Sequence, residues 1–195
     1  APFVDYQAFS NPQFHRRDLN LAPILQPDGE PALAVYGGVF QPQKDLPFQH
    51  PIYITENEIE VDESYFQQMS QYTCPVLPVF DAASGDMFSV FFGGISLHFQ
   101  DETSQALVAD SLMPFVNDIT VFTRKADGTS AEMVLPLKFD VLLGTNAKFI
   151  PSPQAPHYDN EVLNLNAMQG RTFAGYIYGG IEAVIPNITP SSASN

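Results

Sequence analysis

The stretch that decides the fold of this chain is LAVYGGVF at residues 33–40, because near copies of it occur twice more. The copies are SVFFGGIS at residues 89–96 and GYIYGGIE at residues 175–182. Each stretch is an apolar run that ends in two adjacent glycines: Gly37 and Gly38, Gly93 and Gly94, Gly179 and Gly180. A compound pattern that returns along the chain is typical of a repeat architecture.

The residues before each glycine pair predict a β-hairpin. In the first copy two apolar runs flank QPDGEP, and in the second they flank DAASGD, both of which are turn-forming sequences. The third copy, residues 161–182, places MQGR at the same point. We therefore expect three units in which a strand, a tight polar loop and a second strand lead into Gly-Gly.

Other segments also favour β-structure. Residues 51–61 alternate as one strand does, and residues 118–139 predict a hairpin with Asp127 and Gly128 at its turn. Only residues 63–72 and 140–149 are compatible with a turn or two of helix, since 17 prolines interrupt longer windows. The predicted fold class is all-β.

The glycine pairs have two physical interpretations. Glycine at the end of a strand permits positive φ and lets another backbone approach closely. The alternative, a phosphate-binding loop, requires a helix directly after the glycines, and no helical periodicity follows any of the three pairs. The pattern therefore favours a shared packing role for the glycines.

The sequence also divides into three parts. Residues 1–14 predict an extended lead-in, residues 15–188 the β-repeat domain, and residues 189–195 a flexible tail or the stub of a further strand. The second interval between glycine pairs is longer than the first, so it carries either a degenerate unit or an insertion, with the proline-rich residues 149–160 as the long connection.

Hairpins that end in an aromatic residue and Gly-Gly resemble the kelch-type blade of β-propellers. The chain is similar, from about His15 to Ile188, to the C-terminal half of uncharacterised secreted bacterial proteins with degenerate kelch-like repeats, through the segments FHRRDLNLAPIL, AVYGGVF, FGGISL, PFVNDIT and GRTFAGYIYGGIEA. This resemblance implies a partial propeller of three to four units, secretion or surface display, and further blades in a longer precursor or a second chain. A β-sandwich is the alternative architecture.

The composition excludes several function classes. The formal charge is −14 at pH 7, from 22 acidic and 8 basic residues, which disfavours binding to nucleic acid and to anionic membranes. No apolar stretch is long enough for a membrane span, so we expect no membrane insertion. The single cysteine, Cys74, provides no disulfide and no paired metal ligand.

Two clusters are candidates for binding. Within a regular strand, Glu56, Glu58, Glu60 and Asp62 would share one face, as a calcium site or as a solvated edge. The second cluster is Arg16, Arg17 and Asp18, for which we expect either a contact between blades or a contact with an anion.

We predict a secreted or cell-surface module with no catalytic activity and no required cofactor. It would assemble with other blades, with itself or with a partner protein. The first alternative is a carbohydrate-binding or glycoside-active propeller that uses carboxylates at strand ends, and the second is a structural subunit with a jelly-roll fold.

Overall fold

The computed structural model describes residues 10–187. It is all-β, as predicted, with two short 3₁₀ helices, Pro12–Phe14 and Leu165–Ala167. The strands are β1 (Asn20–Leu25), β2 (Pro31–Tyr36), β3 (Ile52–Ile54), β4 (Ile59–Val61), β5 (Val76–Asp81), β6 (Asp86–Phe92), β7 (His98–Gln100), β8 (Leu107–Ala109), β9 (Asp118–Arg124), β10 (Ser130–Lys138), β11 (Leu142–Pro151), β12 (Leu163–Asn164) and β13 (Gly175–Ala183). No helix within residues 10–187 is long and apolar enough to cross a membrane.

The strands form four open sheets. Strands β1, β2, β3 and β4 form one antiparallel meander, and β5, β6, β9 and β10 form a second, to whose β5 edge the short strand β12 is added in parallel. Strands β11 and β13 form a two-stranded sheet, and β7 and β8 form a hairpin inserted between β6 and β9. We call the first meander unit 1, the second unit 2, and the β11–β13 pair unit 3.

The three units share one pairing register at the glycine pairs. Bridges join Arg17 to Val39 in unit 1 and Tyr72 to Ile95 in unit 2, and Thr145 pairs with Ile181 in unit 3. With the registers of the flanking strands, these pairs place the second glycine of each unit opposite one residue of the first strand segment: Asp18 opposite Gly38, Thr73 opposite Gly94, and Asn146 opposite Gly180. We call this arrangement the glycine step.

Both sides of each glycine step have left-handed backbone. The φ angles of the glycines are 56° and 89° in unit 1, 63° and 92° in unit 2, and 72° and 94° in unit 3. The opposing residues Asp18, Thr73 and Asn146 have φ of 54°, 52° and 60°. The repeated sequence therefore encodes a repeated backbone conformation.

Close approach of neighbouring atoms explains why the second position of each pair is glycine, in unit 3 as well, where a Cβ atom on Gly180 would lie 2.8 Å from the carbonyl oxygen of Thr145. A Cβ atom on Gly94 would lie 2.7 Å from Cβ of Cys74 and 2.9 Å from the carbonyl oxygen of Tyr72, distances that side chains do not tolerate. The first glycine of each pair faces the following unit: a Cβ on Gly37 would lie 3.1 Å from the carbonyl oxygen of Gln71, and one on Gly93 would collide with that of Leu143.

The prediction of the third hairpin is wrong in its partner strand. Residues 161–170 do not pair with the strand that carries Gly179 and Gly180; that strand, β13, pairs with β11 over Leu142–Pro151. The residues predicted to be the first strand instead form β12, which pairs in parallel with Val79 and Phe80 of β5. The possible helix at residues 140–149 is therefore mostly strand β11, and residues 63–72 contain no helix.

The long connection between β11 and β13 packs against the other two units. Val162 and Leu163 are buried, and the ring of Tyr158 meets that of Phe80 edge to face at 5.9 Å. Asn160 Nδ2 donates a hydrogen bond to the carbonyl oxygen of Ile24 in β1, at 3.1 Å. Residues 152–174, of which the sequence predicted only 149–160 as an insertion, thus complete the core beside β1 and β5.

Each unit has two faces, because successive side chains of a strand point in opposite directions. We call the face that carries the residue directly before the glycine pair the forward face (Tyr36, Phe92, Tyr178), and the opposite face the rear face (Val35, Phe91, Ile177). The forward face of unit 1 packs on the rear face of unit 2: Tyr36 meets Phe91 edge to face at 5.1 Å, and its hydroxyl lies 3.1 Å from that of Ser89. Strand β5 lies between β1 and β11, so the first strands of the three units are neighbours in chain order.

The glycine step predicts different effects of Gly94→Ala and Gly179→Ala. Both substitutions place alanine at positive φ, which costs about 1–2 kcal/mol, but only Gly94 meets other atoms, since the space around Gly179 is open within residues 10–187. We expect Gly94→Ala to lower the free energy of unfolding by about 3–4 kcal/mol in total, because overpacking adds to the backbone cost. Gly179→Ala should cost only the backbone part. Urea unfolding of both variants would measure the difference, and equal losses would contradict it.

Candidate functional site

Arg16 lies at the start of unit 1 and donates to several backbone carbonyls. Its Nη1 donates to the carbonyl oxygen of Gly37 at 3.1 Å, and its Nη2 to that of His50 at 2.8 Å. Its Nε donates to the carbonyl oxygen of Gln13 at 2.6 Å, and the guanidinium lies over the ring of Phe48. Partial burial lowers the pKa of Arg16 to about 10, so the side chain remains charged at neutral pH. These contacts lie within unit 1 and its lead-in, so Arg16 serves neither as a blade contact nor as a free anion ligand.

Gln71 has the corresponding position and role in unit 2. Arg16 directly precedes the Arg17–Val39 bridge, as Gln71 directly precedes the Tyr72–Ile95 bridge. Gln71 Nε2 donates to the carbonyl oxygens of Gly93 at 2.6 Å and Asp118 at 3.0 Å. In both units a side chain thus binds the first glycine carbonyl and a backbone carbonyl close to the start of the third strand. We call this contact the carbonyl clasp.

Arg17 and Asp18 form an exposed pair. Their side chains are 71% and 51% exposed, with 3.8 Å between Arg17 Nε and Asp18 Oδ2, and the Arg17 guanidinium lies over the ring of Phe40. Such pairs contribute little to stability. The sequence placed Arg16, Arg17 and Asp18 in one cluster, but only Arg16 is tied into the fold through its side chain.

The acidic residues at 56–62 do not share a strand face. The segment predicted as one strand is a hairpin, with β3 and β4 separated by a turn in which Thr55 N donates to the carbonyl oxygen of Glu58 at 2.9 Å. Glu56 and Glu58 lie in or beside that turn, Glu60 pairs across the strands with Tyr53, and Asp62 Oδ1 accepts from Ser64 N at 3.0 Å. No group of three or more histidine, cysteine or acidic side chains within residues 10–187 is placed to hold a metal ion. The calcium candidate therefore lacks the convergence that it requires.

The most acidic concave surface is a cleft of about 520 Å³ between the β7–β8 hairpin and the start of β11. Phe99 and Phe115 line it together with Asp101, Asp110 and Asp118. Aromatic rings beside carboxylates are the composition expected of a sugar site, which makes this cleft the place to examine the carbohydrate alternative.

Three of the four carboxylates that line this cleft have bonding partners within the chain. Asp118 is buried and ion-paired with Lys138 at 2.9 Å, and its Oδ2 accepts from Gln100 N. Asp101 accepts from both the backbone N–H and the hydroxyl of Ser104, which lowers the pKa of Asp101. Asp110 accepts from Asn187 Nδ2 at 3.0 Å. These carboxylates hold loops in place, and the geometry does not single out a catalytic pair.

Glu132 in β10 is the carboxyl group with the most unusual environment. It accepts from the hydroxyl of Tyr65 at 3.2 Å and from the backbone N–H groups of Gln68 and Met69 at 2.6 and 3.2 Å. Burial outweighs these donors and raises the pKa of Glu132 to about 7. The side chain ties the connection between units 1 and 2 to the outer strand of unit 2. The sequence carried no signal for this contact, since Glu132 lies in an otherwise ordinary strand.

Cys74 has no reactive environment. It is buried, and burial raises the pKa of its thiol to about 12, so the thiol stays protonated at neutral pH. Asn20 holds it in place by accepting from Cys74 N at 3.0 Å and donating to Sγ at 3.4 Å. A protonated, buried thiol is a poor nucleophile and a poor metal ligand.

The largest unexplained feature is the apolar character of the two end faces. On the forward face of unit 3, Tyr176 and Tyr178 are 61% and 72% exposed, while Tyr36 at the corresponding place in unit 1 is 1% exposed. On the rear face of unit 1, Leu21 and Leu33 are 56% and 39% exposed, while Val35, at the place of Phe91 in unit 2, is 7% exposed. Exposed apolar surface of this kind marks an interaction site, and we take the two end faces as the candidate functional site.

Comparisons with known proteins add no identification. No family model matches the chain, and neither the curated proteins nor the solved structures include a significant match. The resemblance to kelch-like repeat proteins therefore stays a prediction, and the functional argument depends on the residues themselves.

The carbonyl clasp predicts different costs for two neighbouring arginines. Arg16→Ala leaves the carbonyls of Gly37 and His50 without their donor, which should lower the free energy of unfolding by about 2–3 kcal/mol. Arg17→Ala, the matched control, should change it by less than about 0.5 kcal/mol. Arg16→Gln should recover part of the loss, because Gln71 makes the same contacts in unit 2. Denaturant unfolding would measure all three, and equal effects at Arg16 and Arg17 would contradict the clasp.

The raised pKa of Glu132 predicts a pH dependence of stability. The folded chain holds this proton more tightly than the unfolded chain does, so the contribution is complete below the unfolded pKa near 4.5 and is lost as the pH rises through about 7. Between pH 5 and 8 we expect the wild type to lose about 1–2 kcal/mol more stability than Glu132→Gln. Thermal unfolding of both proteins across this range would show parallel curves if the interpretation were wrong.

Proposed function

We propose that this chain is a non-catalytic structural and binding module that assembles with further β units of its own design through its two end faces. The observation that carries the proposal is the contrast on the forward faces. Tyr36 in unit 1 is buried against unit 2, whereas Tyr178, at the same place before the glycine pair of unit 3, is 72% exposed. The forward face is buried in unit 1 and partly buried in unit 2, and it is exposed in unit 3, where the described residues supply no following unit.

The glycine step supports the same proposal. Gly37 lies against the backbone of Gln71, and Gly93 lies against that of Leu143, so each first glycine meets the segment that begins the next unit. Gly179 has the same left-handed conformation, but nothing within residues 10–187 lies near its Cβ position. A conformation that serves close contact in two units is retained in the third, where we propose that a partner supplies the contact.

The edge of β13 offers backbone groups in addition to the exposed face. In units 1 and 2 the strand that carries the glycine pair also pairs with a third strand, as β2 does with β3 and β6 with β9. Within the described part of the chain, β13 pairs only with β11. An open strand edge beside an apolar face is a template for a further strand.

We propose that the assembled architecture is a β-propeller. Support comes from the two four-stranded antiparallel meanders, from the neighbouring first strands β1, β5 and β11, and from the face-to-face packing of units 1 and 2. Propellers usually have four to eight such units around an axis. Three units therefore need others to close a ring.

We also propose a location outside the cell and a role without catalysis. The chain has few lysines, and its single cysteine is buried and protonated, which is compatible with an oxidising environment. Three carboxylates of the cleft beside the β7–β8 hairpin, Asp101, Asp110 and Asp118, are engaged in intramolecular bonds, which favours binding over chemistry.

Hydrogen exchange on the protein from its natural source tests the proposed function. In the purified 195-residue chain, the amides of β13 that are not bonded to β11 should exchange rapidly, because they face solvent. In the native species we expect these amides, and those beside Leu21 and Leu33, to be protected by the partner. The β9–β10 hairpin, which is complete in the chain, is the internal control. Rapid exchange of the end faces in the native species, at the rate of the purified chain diluted to a monomer, would overturn the proposal.

A further inference from the structure

The two end faces are the two halves of one interface that the chain already contains. Between units 1 and 2, a forward face meets a rear face: Tyr36 contacts Phe91 at 5.1 Å and Phe122 at 5.2 Å. The exposed halves are a forward face on unit 3 and a rear face on unit 1. One chain therefore presents both partners of the same type of contact, one on its first unit and one on its last.

The two exposed faces also complement each other, since one presents aromatic rings and a lysine and the other a groove and a glutamate. The forward face of unit 3 presents the rings of Tyr176 and Tyr178, together with Ile150 and Lys148, which pair with them across β11 and β13. The rear face of unit 1 carries a shallow groove of about 290 Å³ with five apolar and three polar lining residues. The apolar ones are Pro23, Pro31, Ala32, Leu33 and Ile54, and the polar ones are Thr55, Glu56 and Asn160. Aromatic residues on one side and an apolar groove on the other are typical of interface anchors and their pockets.

We propose that two copies of this chain associate with the forward face of unit 3 in each copy covering the rear face of unit 1 in the other. This inference rests on the proposed function and names the partner as a second copy. Two chains of three units give six, within the range in which propellers close. A twofold axis then relates two identical contacts, so no end face stays exposed and assembly stops at the dimer.

Charge-swap variants test this arrangement. Tyr178→Lys places a cation on the forward face of unit 3, and Leu33→Glu places an anion in the groove of unit 1. Every contact in the proposed dimer includes one Tyr178 and one Leu33, so either variant alone damages both contacts. Each should weaken dimerisation roughly tenfold per contact, about a hundredfold in total. Both residues are exposed in the single chain, so the variants should fold normally, which circular dichroism would verify.

Mixing the two variants provides the decisive measurement. In a mixed dimer one contact joins the wild-type residues and the other joins lysine to glutamate, so the mixture should dimerise where each variant alone does not. Light scattering should show twice the 21.5 kDa chain mass for the wild type and for the mixture. Leu112→Glu changes a leucine that is 66% exposed but lies on neither end face, and it should dimerise like the wild type.

Three results would overturn the inference. One is a wild-type chain that stays monomeric at every concentration. Another is a dimer that Tyr178→Lys disrupts and Leu33→Glu does not, since this means that identical faces meet. The third is failure of the mixture to recover. If the wild type is monomeric while the native species still shows protected end faces, a different partner supplies the contact and the proposed function stands. Absence of protection in the native species overturns the proposed function itself.

Discussion

The rest of the structure depends on the left-handed backbone step at the paired glycines. At each step the two strands keep their register while opposed residues take positive φ on both sides. In units 1 and 2 this conformation directs the carbonyl of the first glycine toward the side chain of the carbonyl clasp, and Arg16 or Gln71 donates a hydrogen bond to it. Because glycine has no Cβ atom, the backbone of the next unit can also approach Gly37 and Gly93 closely. The cost of positive φ falls on Asp18 and Asn146, which tolerate it, and on Thr73, whose carbonyl accepts a hydrogen bond from Asn146 N in unit 3.

Local chemistry was sufficient to predict the hairpins of units 1 and 2. Pro-Asp-Gly after β1 and Asp127-Gly128 before β10 restrict the chain to tight turns, and such signals act over a few residues. The third hairpin was assigned wrongly because the true partner of β13 lies on the other side of a long insertion. Residues 161–170 have the composition of a strand, but tertiary packing pairs them with β5 instead.

Some of the site residues could be predicted from local sequence patterns, and others depend on contacts between distant segments. The importance of the glycines was readable because their pattern repeats, but the clasp was hidden, since its two members are chemically different residues, Arg16 and Gln71. The acidic run at 56–62 was predicted to share a face only because a regular strand was assumed, and a turn at Thr55–Glu58 removes that periodicity. The contacts of Glu132 and the exposure of Tyr176 and Tyr178 depend on which segments lie nearby in the fold. The alternation of residues along a strand does not predict those neighbours.

The insertion at residues 152–174 has a consequence for how the chain unfolds. In linear repeat arrays each unit contacts only its neighbours, so terminal units open first and independently. Here the connection between the two strands of unit 3 is bound to unit 1, because Asn160 donates a hydrogen bond to the backbone of β1. Its Val162 is buried in the core that units 1 and 2 share. Detachment of the last unit would remove part of the first unit's interior. The three units are therefore coupled in a single cooperative block. The connection between β11 and β13 opposes separate unfolding of the C-terminal unit.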